Sequence, residues 1–101
     1  MASPRITATV YSKNGRVLSA AENSYKKTHP EQARFARLAG LPKCEYLHAE
    51  VLALLRCRGK PYKIKVERVD KQGKPKLAKP CPICELAIHE AGIKYIEYSV
   101  G

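Results

Sequence analysis

Ile6-Thr-Ala-Thr-Val-Tyr11 alternates apolar and polar side chains, the period of a strand with one buried face. Lys13-Asn-Gly-Arg16 follows, and Asn-Gly suits a tight hairpin turn because such turns need positive φ. Val17-Leu-Ser-Ala-Ala21 reads as the returning strand. Asn23-Ser-Tyr-Lys-Lys-Thr-His29 has neither period and predicts a loop. Pro30 fits the first turn of a short helix that runs to about Ala39 and stops at Gly40.

Apolar positions then crowd Leu47-His-Ala-Glu-Val-Leu-Ala-Leu-Leu-Arg-Cys57, which predicts a longer, buried helix ending by Gly59-Lys-Pro61. Tyr62-Lys-Ile-Lys-Val-Glu-Arg-Val69 alternates again as a third strand, and Lys71-Gln-Gly-Lys-Pro75 breaks it, with a loop on to Pro80 as the other option. Pro82 opens a helix to Glu90 closed by Gly92, and Ile93 to Val100 is a last strand. The order is β-β-(short α)-α-β-α-β: a hairpin, then helix–strand units feeding parallel strands of one α/β sheet.

The chain has 101 residues, the size of one small domain over 1–101, with a core that a metal or a second subunit would reinforce. No apolar run approaches the ~20 residues that cross a bilayer, and Met1-Ala-Ser-Pro-Arg5 lacks the apolar stretch of a signal peptide. A cytoplasmic protein without a membrane partner is expected, and its four cysteines then read as metal ligands or reduced thiols rather than disulfides. The net charge of +10 is concentrated between Arg58 and Lys79, where nine Lys and Arg face only Glu67 and Asp70. Such a run is commonly a solvated surface, but its field also favours anionic partners, phosphates above all.

The chemistry lies in two stretches. His48, Cys81 and Cys84 match the donor set of an open zinc site, with three protein ligands and a fourth position for water. Cys-x-x-Cys at a helix start lets both sulfurs reach one ion, and the amides of that helix end favour thiolates. Zinc brings the pKa of a bound water near neutrality, and Glu50, two positions after His48, is suited to take that proton and pass it on. The same three donors also suit a structural zinc site closed by His29, His89 or another cysteine. A mere staple has no use for Glu50.

His48-Ala-Glu50 followed by Pro80-Cys-Pro-Ile-Cys84 resembles the signature of the zinc-dependent cytidine/deoxycytidylate deaminase superfamily, over about Ile6 to Ser99. The resemblance implies a cytidine deaminase-like three-layer sandwich, pared down to an N-terminal β-hairpin followed by α-β-α-β. It implies Zn2+ on His48, Cys81 and Cys84, with Glu50 as the proton shuttle. It assigns substrate contacts to the backbone of Ala49 and Cys81 and a sugar contact to Asn23, which as a loop asparagine is equally suited to turn chemistry. The helix that usually precedes the hairpin and the last helix and strand of the family have no counterpart. A sheet left with open edges favours a homo-oligomer.

A histidine as first ligand resembles the deoxycytidylate, tRNA and nucleic-acid branches, and Lys26, Lys27 and His29 are placed to meet a phosphate. Hydrolytic conversion of cytosine to uracil in a free (deoxy)cytidine nucleoside or mononucleotide is the first expectation. Single-stranded DNA or RNA is the alternative substrate, with Tyr25 and Tyr46 as stacking candidates and Tyr62, Tyr95 and Tyr98 read as sheet packing. A third reading is a zinc-stapled nucleic-acid-binding module without catalysis.

Overall fold

The computed structural model describes residues 5–23, 29–40, 48–70 and 72–100. Strand β1 (Arg5–Tyr11) pairs antiparallel with β2 (Val17–Glu22), and the hairpin turns where expected, with Gly15 at φ +86°. Helices α1 (Pro30–Leu38) and α2 (Ala49–Arg56) follow, then β3 (Lys63–Val69), a two-residue β4 (Pro75–Lys76), helix α3 (Pro82–Glu90) and β5 (Tyr95–Tyr98). β3 lies antiparallel to β1, and its other edge is shared between β5, which runs parallel to it, and β4. The fold is thus α/β, with a mixed, mainly antiparallel sheet and three described helices.

β4 begins at Pro75, the last residue of the predicted break, and runs into the stretch for which a loop on to Pro80 is the other option. Asp70 Oδ1 accepts from the amides of Gln72 and Lys74, which turns the chain back along β3. The Ser99 hydroxyl, just past β5, then donates to Lys76 O at 2.6 Å and accepts from Arg68 N at 3.0 Å, tying β3 and β4 to the end of β5. Neither contact is visible in a pattern of apolar positions.

Register explains the two faces of the sheet. Ala8 lies opposite Ala21 and Val66, and Val10 opposite Ile64, so these side chains share one face. Ala49 and Ala53 of α2 and Ile88 of α3 pack there, and small residues let the helices sit close to the strands. A second cluster joins Phe35 and Ala36 of α1 to Val51 of α2 and to Ile83, Cys84 and Ala87 of α3. Arg34 fastens α1 further, reaching Glu31 on its own helix and Glu90 of α3 at 2.8 Å each. All three described helices therefore lie on the same side of the sheet, so the three layers that the resemblance implies are not seen among the described residues. The other face carries Thr7, Thr9, Tyr11, Lys63 and Lys65 and has no helix on it among the described residues. Truncating a fully buried core residue such as Ile64 to alanine costs about 2–5 kcal/mol.

Candidate metal centre

The second cluster presses the starts of α2 and α3 together, and both helices begin with a metal-type ligand at the N-cap: His48 for α2 and Cys81 for α3. Cys84 sits one turn on, on the buried side of α3. Neither N-cap side chain bonds its own helix amides. They turn instead toward each other, with His48 Nδ1 3.2 Å from Cys84 Sγ and 3.4 Å from Cys81 Sγ. All three donor atoms lie within 4.8 Å of one another. Foregoing a side-chain cap costs a helix about 1 kcal/mol, so two helices giving it up at one point marks a competing use for those side chains.

The donor set fits a divalent ion of the softer kind: two sulfurs, one imidazole nitrogen, half-buried between helix ends whose amides favour negative charge. The Cys84 thiol and the His48 imidazole hold the Cys81 thiol down at about 4, which makes Cys81 the thiolate of the pair. Sharing a proton with Cys81 pushes Cys84 well above the usual thiol range. The Cys81 sulfur in turn raises the His48 imidazole. A cation would replace the shared proton and be met by two thiolates.

Among the described residues no fourth His, Cys, Asp or Glu joins the three. His29 caps α1, its Nδ1 accepting from Glu31 N at 3.1 Å, and His89 stands exposed in the last turn of α3. Cys57 closes the far end of α2. Cys44 lies outside the described residues, as do Lys26, Lys27, Tyr25 and Tyr46.

Glu50 lies in the first turn of α2 and is only 5% exposed. Burial pushes its carboxyl above the usual carboxylate range, against the lowering effect of its own backbone amide and the Cys84 thiol. Ala49 is fully buried at the first position of the same helix, where an N–H has no partner within the helix.

Asn23 is engaged in the sheet: its Oδ1 accepts from Ile6 N at 3.0 Å, while its own N–H donates to Ile6 O at 3.1 Å. Gln32, which sequence reasoning passes over, belongs to the site. It is fully buried on α1, and its Oε1 accepts from His48 N at 3.2 Å, tying the start of α2 to α1. Its signal is a carboxamide three and four positions before Phe35 and Ala36, on the apolar face of the helix. No protein-family model matches the chain, and no curated protein matches it.

Proposed function

We propose that the protein is a zinc-dependent hydrolytic deaminase acting on the cytosine of a free (deoxy)cytidine nucleoside or mononucleotide. The observation that carries this reading is a three-donor cluster of His48, Cys81 and Cys84 with a buried carboxyl two residues from its histidine. Zinc held by these three side chains would supply Lewis-acid activation of a water at neutral pH. Glu50 moves the two protons of the attacking water in turn: the first goes to the ring nitrogen, which keeps it in uracil, and the second goes from the new hydroxyl on the ring carbon to the departing amine, which leaves as ammonia. Cytosine and water thus become uracil and ammonia. Burial, which raises the Glu50 carboxyl, makes it easier to protonate than a solvated one, and that suits a group that must take up a proton before passing it on.

The resemblance implies base and water contacts from the N–H groups of Ala49 and Cys81, both at helix starts. Since the oxygen of Asn23 already serves Ile6, any sugar contact from it is assigned to the amide nitrogen. The order of the elements along the chain, a hairpin and then the two ligand-bearing helices with a strand between them, supports this reading. A homo-oligomer belongs to the same reading, and exposed Leu38, Leu86 and Ile96 along one groove offer a second copy an apolar surface.

Incubation of the zinc-loaded protein with cytidine, deoxycytidine, deoxycytidylate and a cytosine-bearing oligonucleotide, with ammonia as readout, tests the reading. Release from a free nucleoside or nucleotide is expected. Release from the oligonucleotide alone would replace the substrate class, and no release from any of them would overturn the reaction.

A further inference from the structure

At the end of the helices away from the metal centre, three segments meet around an open groove of about 880 Å³. Ser12, Lys13 and Asn14 come from the hairpin turn, Lys60 to Tyr62 from the approach to β3, and Ala91, Gly92 and Lys94 from the approach to β5. Backbone bonds hold them in place: Tyr62 N–H donates to Tyr11 O at 2.9 Å and Lys94 N–H to Tyr62 O at 3.0 Å. Lys13, Lys60 and Lys94 are exposed, and no acidic residue lines the groove. None of the three makes an ion pair with a described residue, whereas Lys63 and Lys65 on the adjoining sheet face are paired with Glu97 and Glu67. Three exposed lysines around one groove without a carboxylate leave it positively charged, which favours an anion that spans it.

The neighbouring aromatic residues say what kind of anion. Tyr11, Lys63 and Tyr95 are register partners across three strands, forming one row on the uncovered face at the lip of the groove. Lys63 Nζ lies 5.5 Å from the centre of the Tyr11 ring, while Tyr95 is 55% exposed and is braced by Tyr62 at 5.2 Å between ring centres. An exposed ring braced from one side beside unpaired lysines is the pairing that single strands use, with phosphates on the cations and unstacked bases on the ring. Duplexes keep their bases away from such a ring.

We infer that the Lys13–Lys60–Lys94 groove with Tyr95 at its lip is a binding site for single-stranded nucleic acid. It lies beyond the C-terminus of α3, about 13 Å of helix from Cys81. It therefore does not position a single nucleotide at the metal, and it does not rest on the deaminase reading.

The test is fluorescence anisotropy with a short labelled oligothymidylate, which contains no cytosine, so that its outcome and that of the ammonia assay are independent. The intact protein should bind it with an affinity that falls steeply between about 50 and 200 mM salt. Changing Lys13, Lys60 and Lys94 together to Glu should weaken binding at least tenfold and flatten the log–log salt slope by about 2, from three lost single-strand phosphate contacts. Tyr95→Ala should weaken it roughly tenfold, and Tyr95→Phe should restore it. The triple change to Gln serves if the Glu variant melts early.

Arg37, Lys74 and Lys76, none of which lines the groove, form the control set: changed to Glu, they alter the net charge equally and should leave most of the binding intact. Unchanged binding in the groove variant, or an equal loss in the control, would overturn the site. Preference for duplex, or displacement of the oligomer by inorganic triphosphate at equal phosphate concentration, would overturn the single-strand assignment.

Discussion

Two helices of this protein open with the same pattern, His-x-Glu, and use it in opposite ways. In His29-Pro-Glu31 the imidazole turns back on α1 and caps it, and Glu31 stands in solvent beside Arg34, which lowers its carboxyl below the usual range. In His48-Ala-Glu50 the imidazole leaves α2 uncapped and faces two sulfurs, while Glu50 is buried and its carboxyl is raised. Spacing and helix position are the same, so neither distinguishes the two. What differs is the neighbour: α1 starts at the outside of the helical layer, whereas the start of α2 is pressed against the start of α3, which brings Cys81 and Cys84.

Removing ligands breaks the comparison most severely. His48→Ala or Cys84→Ser should reduce bound metal from about one equivalent per chain to none, measured by elemental analysis. Loss of an ion present at a thousandfold excess over its Kd removes about 4 kcal/mol of stability. For a domain of this size that is roughly 15–30 °C in Tm. His29→Ala should leave the metal content intact. If His29→Ala empties the centre too, the two histidines are not different devices.

The carboxylates give the next largest contrast. Glu50→Gln should lower ammonia release by about 10²–10⁴-fold with metal content unchanged, because it removes the group proposed to move the proton. Glu31→Gln, in the first turn of the other helix, should leave the rate within a factor of about two, since its partner Arg34 is a surface neighbour one turn on. Equal rates for the two variants would strip Glu50 of its role and leave the cluster a staple.

The hairpin and the helix starts are legible in the sequence because their signals are local: Asn14-Gly15 with flanking alternation, and Pro30 and Pro82 at first helical positions. The three candidate ligands are legible for a different reason, that few residue types bind metal and two stretches carry them. What stays hidden depends on contacts far apart in the chain. β4 exists through Ser99, twenty-three residues away from Lys76. His29 reads as a phosphate contact beside its neighbouring lysines, and its geometry makes it a cap. Tyr95 reads as sheet packing, yet it sits on a sheet face that no described helix covers.

Gln32 links the two His-x-Glu units, since it sits on the helix that His29 caps and holds the amide of His48. Gln32→Met keeps the volume but removes the acceptor, leaving a half-buried N–H unsatisfied at a cost of about 1–3 kcal/mol. Metal affinity should fall about 10–100-fold, as for other groups that orient a ligand from behind. Titration with a competing chelator reads this directly. Unchanged affinity would mean that the cluster holds His48 without help from α1.

The smallest effect is the sharpest on meaning. If His29 is only a cap, its chemistry is replaceable by any short side chain that accepts from Glu31 N. His29→Ala should cost about 1 kcal/mol, or roughly 4–8 °C in Tm. His29→Asn or His29→Asp should recover most of that, because both caps are at least as good as imidazole and an acidic one also suits the helix end. The same replacements at position 48 have the opposite logic: His48→Asn or His48→Asp would improve the cap of α2, yet the protein should lose its metal and melt earlier. Thermal melts of the four Asn and Asp variants, with and without chelator, therefore separate the two uses of one pattern. The position 29 variants should shift little and keep their chelator response, whereas the position 48 variants should lose that response altogether.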